Sequence, residues 1–393
     1  LGWSDGQGTA RGVKSSVLGR ASPTVINTAS SLQPLRVAVA GLGFGEKVHL
    51  PALRDCPLTE PVALWHPRPE RLEQACAAAN LPGSSDFKAL LADPQVEALV
   101  IATPPGPRFG LAQAAIAAGK HLLLEKPVAL DAGQIQELQR QALQAGVSVA
   151  VDFEYRAVPL FMQLKALLDQ GAIGTPWLVK LDWLMGSRAD GTRPWNWYSQ
   201  RAAGGGVLGS LGTHAFDTLH WLLGPARSVG AQRSMAIPQR PLADGSGRLA
   251  AVDAEDIALV QLELEAASGR RLPAQVSLAS VTRPGRGYWI EIYGSEGTLV
   301  LGSSNQNDYV HGFQLWQAQG SGTLREISPD PALAFAHTWP DGRVAPVERL
   351  VGWWAEAARS GRPMVPGLAE AVHSQAISDL ALAAADTGLR QEF

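Results

Sequence analysis

Three glycines at alternate positions are the first residues in this 393-residue chain whose spacing implies chemistry. Gly41, Gly43 and Gly45, interleaved with Leu42 and Phe44 and followed by Glu46, come directly after the apolar, β-branched run Leu35–Ala40 and open a stretch of helical character. Glycines let the backbone turn tightly and approach a pyrophosphate, whose charge the N-terminus of the next helix favours. Gly41, Gly43, Phe44 and Gly45 are therefore candidate dinucleotide contacts, although Glu46 stands where such turns usually carry Gly or Ala. An NAD enzyme commonly presents Asp or Glu to the ribose hydroxyls about 20 residues further on. Here the residues are Leu64-Trp65-His66-Pro67-Arg68, without a carboxylate. His66 and Arg68 suit a 2'-phosphate, so the expected cofactor is NADP, with NAD the alternative.

Two further segments end strand-like runs: Thr103-Pro104-Pro105 and Glu125-Lys126-Pro127. Ligands of doubly wound sheets bind at the carboxyl ends of the strands, which places Thr103, Pro104, Glu125 and Lys126 at the same crevice as the glycine turn. A partly desolvated Lys has a lowered pKa suited to proton transfer, which makes Lys126 a catalytic candidate. The run from Pro194 to Arg201 is aromatic and polar, and its Trp195, Asn196, Tyr198 and Arg201 are candidates for a substrate wall. Tyr155 and Arg156, after the fifth strand-like run, are similar candidates. His214, Asp217 and His220 match no metal-site spacing, and the two cysteines, Cys56 and Cys76, form no thiolate motif, so no metal is expected.

The elements that must position these residues follow from periodicity. Strand-like runs at residues 35–40, 62–65, 98–102, 121–125 and 147–151 alternate with helical segments at 71–80, 109–118 and 132–145. That rhythm implies a doubly wound parallel sheet, because parallel neighbours need a crossover and the crossover is a helix. Pro51 predicts a short or kinked helix after the glycine turn. Beyond about residue 155 the pattern changes to period-two strands at 178–184, 257–265, 271–281, 288–293 and 298–301, with helices at 160–170, 213–223 and 367–384. Strands without helices between them favour an antiparallel or mixed sheet. The expected architecture is α/β: an N-terminal Rossmann doubly wound parallel sheet over 34–155, then an α+β domain with an open, mainly antiparallel sheet over 156–393. Residues 1–33 read as a disordered or targeting-like tail.

Composition sets the outer bounds. With 46% hydrophobic and 18% charged residues the chain can bury two cores, and a net charge of -3 gives no field for a phosphate backbone, so nucleic acid is not an expected partner. The apolar runs fall far short of the roughly 20 residues that span a bilayer, so a soluble, cytoplasmic protein without membrane partners is expected.

The glycine turn, the Thr-Pro segment, Ala118-Gly119-Lys120-His121 with Glu125-Lys126-Pro127, and Gly204-Gly205-Gly206 with Gly212, His214 and Asp217 stand in an order that resembles the glucose-fructose oxidoreductase, inositol dehydrogenase and rhizopine-catabolism (Gfo/Idh/MocA) family. Tyr293-Gly294-Ser295-Glu296-Gly297-Thr298 is similar to its strand-turn-strand segment. The resemblance implies hydride transfer to or from a carbonyl or hydroxyl carbon of a sugar-like or polyol small molecule. It also implies a second domain used for homo-dimer or homo-tetramer contacts. By motif, Lys126 sits before a bond that such enzymes can hold cis, and His214 exchanges a proton with the reacting oxygen. Asp217 joins the substrate set. The family's Asp four residues before that His is Ser210 here, and its usual His beyond the Thr-Pro segment is Arg108. Ser210 serves as a weak polar substitute that supplies no charge. Two alternatives remain open: a lyase or glycosidase that retains its NAD, and a non-catalytic NADP-binding regulator, the latter motivated by Ser210.

Overall fold

The computed structural model describes residues 33–266, 269–305 and 308–393. The tail expected over 1–33 lies, but for Gln33, outside them. β1 (Leu35–Ala40), β2 (Thr59–Trp65), β3 (Gly83–Ser84), β4 (Ala98–Ile101), β5 (His121–Leu124) and β6 (Val149–Val151) form a parallel sheet in the order β3-β2-β1-β4-β5-β6. β1 lies inside this sheet and is covered on both faces, which is why it reads as an almost unbroken apolar run. Val37 and Val39 enter one core and Ala38 and Ala40 the other. The strand order reverses between β1 and β4, and the carboxyl ends of these two strands open the crevice in which ligands of such sheets bind.

The crossovers are α1 (Leu50–Asp55), α2 (Pro69–Ala79), α3 (Phe87–Ala92), α4 (Pro105–Ala117) and α5 (Ala132–Ala145). The expected short helix at Pro51 is present: a π turn over Gly45–His49 runs into α1, and Pro51 stands at their junction. Asp86 and Asp131 cap α3 and α5 by accepting backbone N–H bonds, and Gly146 ends α5 in the left-handed conformation.

The second part contains α6 (Pro159–Asp169), β7 (Pro176–Leu184), α7 (Thr213–Leu223), β8 (Ala226–Ser234) and the small hairpin β9 (Gln239–Pro241) with β10 (Leu249–Ala251). There follow β11 (Ile257–Glu265), β12 (Arg271–Ala279), β13 (Gly287–Gly294), β14 (Gly297–Ser303), α8 (Tyr309–Gly312), β15 (Gln314–Gln319), β16 (Arg325–Ile327), α9 (Val344–Ser360), α10 (Leu368–Thr387) and β17 (Gln391–Glu392). The large sheet runs β16-β15-β14-β13-β7-β12-β11-β8-β17 and is antiparallel throughout except between β7 and β12. Its strands alternate as period two requires: Ala258, Val260, Leu262 and Leu264 of β11 are buried, while Leu259 between them is exposed. The inner face packs against α6, α7 and α10 around Phe161, Trp183, Phe216 and Tyr288. No helix among the described residues is long and apolar enough to cross a membrane.

The chain does not stay in the second layer once it arrives there. α9 returns to the first sheet and inserts Val347, Leu350, Val351 and Trp354 beside Val37, Val39 and Leu64. α10 divides its contacts, with Leu368 and Ala371 in the other core of the first sheet and Ile377 and Ala381 in the core of the second.

Trp354 is fully buried, so Trp354→Ala is expected to lower the apparent unfolding free energy by about 3–5 kcal/mol in urea titrations. Trp177→Ala, at a side chain 53% exposed, is expected to change it by about 0.5 kcal/mol or less.

Candidate active site

The glycine turn leaves β1 at Gly41, whose φ is +105° and whose missing Cβ would stand 2.7 Å from the carbonyl carbon of Ala102 at the end of β4. No other residue fits this approach, and it draws the two strand ends together at the crevice. Beyond Gly43 a Cβ would meet nothing within 4 Å. The crevice continues into a cleft of about 900 Å3 between the two sheets. Gly41, Gly43, Phe44, His66, Arg68, Thr103, Pro104, Glu125 and Lys126 all line it, as do Tyr198, Ser210 and His214 from the second part. Gly45 does not. A Cβ there would lie 2.9 Å from Val39 Cγ1, so this glycine packs the turn onto β1. Phe44 is held from outside by the Arg343 guanidinium, 5.0 Å from its ring centre.

Lys126 follows β5 and reaches the cleft through the residue before it. Glu125 is buried; its Oε1 lies 2.8 Å from His49 Nε2, and its Oε2 accepts the Lys126 amide at 3.2 Å. Burial opposes ionisation of Glu125, but the His49 hydrogen bond and the neighbouring Lys126 charge outweigh it and hold the carboxyl at about 2. Asp152, past the end of β6, lies 3.5 Å from His49 Nε2, and burial with the Glu125 and Glu154 carboxyls pushes it well above the usual range. The buried Arg108 guanidinium donates to the carbonyls of Thr103, Glu125 and Pro127, tying the ends of β4 and β5 together. His49, Glu125 and Asp152 bring ligand-type atoms within 4.8 Å of one another, and the hydrogen bonds described make this cluster the support beneath Lys126. The Lys126–Pro127 bond is cis. Lys126 Nζ donates to the backbone oxygen of Ser210 at 3.2 Å, across the cleft from its own strand.

His214 lies in the first turn of α7 and is buried against Tyr155, whose ring meets it edge-on at 5.0 Å. Burial, with Lys126 nearby, drives its pKa well below the usual histidine range, so the imidazole is neutral. Its Nε2 lies 3.4 Å from Glu154 Oε2. Ser210 Oγ donates to the backbone oxygen of Gly206 at 2.7 Å. The glycine triplet is needed beneath it, since Gly206 has φ +95° and a Cβ there would stand 2.2 Å from Glu255 Oε1.

Several expected substrate contacts lie elsewhere. Trp195 donates its indole N–H to Ala251 O at 2.8 Å, Asn196 caps the short turn Trp197–Ser199, and Arg201 pairs with Asp386 at 2.7 Å; none lines the cleft. The turn at Trp197–Ser199 divides the run, for Trp197 and Tyr198, stacked at 3.8 Å, face the cleft instead, and Arg188 lies over the Tyr198 ring at 4.5 Å. Arg156 and Asp217 form a buried two-point ion pair at 2.8 and 2.7 Å, and Tyr155 belongs to the aromatic core behind His214. None of these three lines the cleft, and the buried guanidinium and carboxylate satisfy each other. His220 packs against His373 with the rings tilted and their centres 4.1 Å apart. Sequence reasoning missed Glu154, His49, Trp183 and Arg188. Glu154 stands just past a strand end, where the strand-end rule applies to it as it does to Lys126; the others carried no local signal.

An ammonium, a neutral imidazole and a buried carboxyl around one opening can bind a hydroxyl or carbonyl oxygen and exchange a proton with it. The side-chain-free surface at Gly43 and a cleft of about 900 Å3, at the upper end of the roughly 300–1,000 Å3 usual for small-molecule sites, fit a dinucleotide along the crevice. The comparisons with known proteins agree with this geometry. Residues 35–153 match the model described as "Oxidoreductase family, NAD-binding Rossmann fold" and residues 165–390 match "Oxidoreductase family, C-terminal alpha/beta domain". An uncharacterized oxidoreductase of Synechocystis sp. is 44% identical over 347 residues, 88% of this chain and 92% of its own length. Levoglucosan dehydrogenase of Pseudarthrobacter phenanthrenivorans is 29% identical over 335 residues, 79% of this chain and 84% of its own. A solved levoglucosan dehydrogenase in complex with NADH and L-sorbose superposes with a TM-score of 0.81 at 25% identity, covering 91% of this chain and 98% of that one. With both halves matched in order and a relative aligned over most of its length, the chain belongs to the Gfo/Idh/MocA oxidoreductase family.

Proposed function

We propose that this protein is an NAD(P)-dependent dehydrogenase acting on a CH–OH carbon of a sugar-like or polyol substrate, with Lys126 and His214 at the reacting oxygen. The observation that carries the reading is the meeting of Lys126 and His214, from two different layers, in the cleft that begins at the glycine turn. A nicotinamide bound there supplies the hydride acceptor or donor. The chain itself does the rest. The Lys126 ammonium donates to the substrate oxygen and stabilises negative charge developing on it, while neutral His214 offers a hydrogen bond without competing for that charge. Trp197, with Tyr198 stacked behind it, provides a flat apolar face of the kind that sugar rings stack on, and Arg188 adds directional polar contacts. Relatives named as levoglucosan dehydrogenase support the substrate class.

Preference for NADP rests on His66 and Arg68 at the far end of the cleft, with no carboxylate at the end of β2. His66 Nδ1 accepts the Arg68 amide at 3.2 Å, which orders the loop, and the Arg68 side chain is exposed and able to meet a phosphate. Self-association through the outer face of the large sheet accords with the exposed Leu178 and Leu259 there and with the stacked Trp289 and Trp316.

Fluorescence titration with NADH and NADPH, followed by a screen of sugars and polyols for cofactor reduction, tests the reading. Nucleotide binding without turnover on any alcohol would favour the regulator. Arg68→Ala is expected to weaken NADPH binding by about tenfold, or roughly 1.4 kcal/mol, and to leave NADH binding nearly unchanged; equal losses would remove the 2'-phosphate argument. Lys126→Ala is expected to lower kcat by about 10²–10⁴ while nucleotide binding persists in the same titration.

A further inference from the structure

We propose that Glu154 is the general acid–base of this site, the carboxyl that takes the hydroxyl proton when a CH–OH substrate is oxidised and returns it on reduction. The assignment rests on the dehydrogenase reading given above. In oxidation the C–H bond breaks with both its electrons, which leave as hydride for the oxidised nicotinamide. The O–H pair becomes the second C–O bond, and the proton forms an O–H bond on Glu154, from which solvent later removes it.

Geometry makes the case. Ser210, at the place where the family motif carries Asp, has its hydroxyl proton committed to Gly206 O at 2.7 Å, and a hydroxyl does not ionise in the neutral range. Glu154 reaches the same opening from the end of β6: it lines the cleft, its side chain is 7% exposed, and its Oε2 lies 3.4 Å from His214 Nε2. No described residue donates a well-directed hydrogen bond to that oxygen. A buried carboxylate oxygen left without a donor costs free energy, and a proton or a substrate hydroxyl removes that cost.

The charges around it agree. Facing Glu154 are Lys126 and Glu125 from the end of β5, Asp152 from β6, His214 from α7 and Arg343 ahead of α9. Burial pushes the carboxyl up and Glu125 adds to this, while Lys126 and Arg343 pull it down; it settles at about 7. At that value both forms are populated near neutrality, the condition under which acid–base catalysis is most effective. His214, held neutral by burial and Lys126, does not store the proton. The signs follow: oxidation needs ionised Glu154 and gains rate as pH rises through about 7, whereas reduction needs the protonated form and loses rate over the same interval.

Two measurements test this. Infrared difference spectra of the nucleotide-free protein between about pH 5 and 9 should show a protonated carboxyl band that is lost near neutrality and is missing from Glu154→Gln. Glu154→Gln, folded as judged by unchanged nucleotide binding, should lose about 10²–10³ in kcat for alcohol oxidation and lack the rise with pH, whereas Glu154→Asp should keep a rise. Wild-type turnover with the same rate and pH profile in Glu154→Gln overturns the assignment alone, as do infrared titrations that are identical in the two proteins. Wild-type protein that oxidises no alcohol overturns the dehydrogenase reading and this assignment with it.

Discussion

The hydrogen bond between His49 and Glu125 fixes where everything else in the cleft sits. His49 ends the π turn that follows the glycines, and Glu125 ends β5, so a single buried contact of 2.8 Å ties the nucleotide turn to the strand that presents Lys126. Placing an ionised carboxylate in the interior is costly unless its lone pairs are answered. Here the imidazole and the Lys126 amide answer them, and Arg108 completes the arrangement by binding the carbonyls on either side. The ends of β1, β4 and β5 are therefore fixed relative to one another before any ligand arrives, which is the preorganisation that a reacting geometry requires.

Two carboxyls within this small volume are driven in opposite directions. Glu125 sits at about 2 because its partners donate to the charged form and outweigh burial, and Glu154 at about 7 because burial outweighs the groups that favour its charge. The pattern of neighbouring acids separated by environment is the usual way a site keeps one group as fixed charge and another as a proton carrier. The same interior keeps His214 neutral and leaves the Lys126 ammonium as the local positive charge that both carboxyls and the imidazole feel.

Much of this was legible in the residues. β1, its glycine turn and β11 carry their period and boundaries openly, because a strand covered on both faces is all apolar and one covered on a single face alternates. Lys126 and His214 were legible from motif and strand-end position. β8 was not, since Ala226–Ser234 contains Arg, Ser, Gly and Gln and is a strand only through its pairing with β11 and β17. α9 was passed over although its apolar face is regular, and its destination on the distant first sheet has no local signature. In the Pro194–Arg201 run the residue types were informative and the side-chain directions were not: neighbouring positions in an irregular segment point to different surfaces, so Tyr198 reached the cleft while Trp195 and Asn196 bonded to the backbone and side chains around them. Glu154 was overshadowed by Tyr155 and Arg156, whose conspicuous chemistry serves the core.

α10 has Leu368 and Ala371 in the nucleotide half and Ile377 and Ala381 in the other, and α9 seals the opposite face of the first sheet. The nucleotide half therefore borrows its outer wall from the last fifty residues of the chain, and neither half closes its own core when severed from the other at a single point. During synthesis the first sheet therefore lacks part of the cover on each of its faces until α9 and α10 have emerged, which makes completion of the nucleotide half's cores a late event.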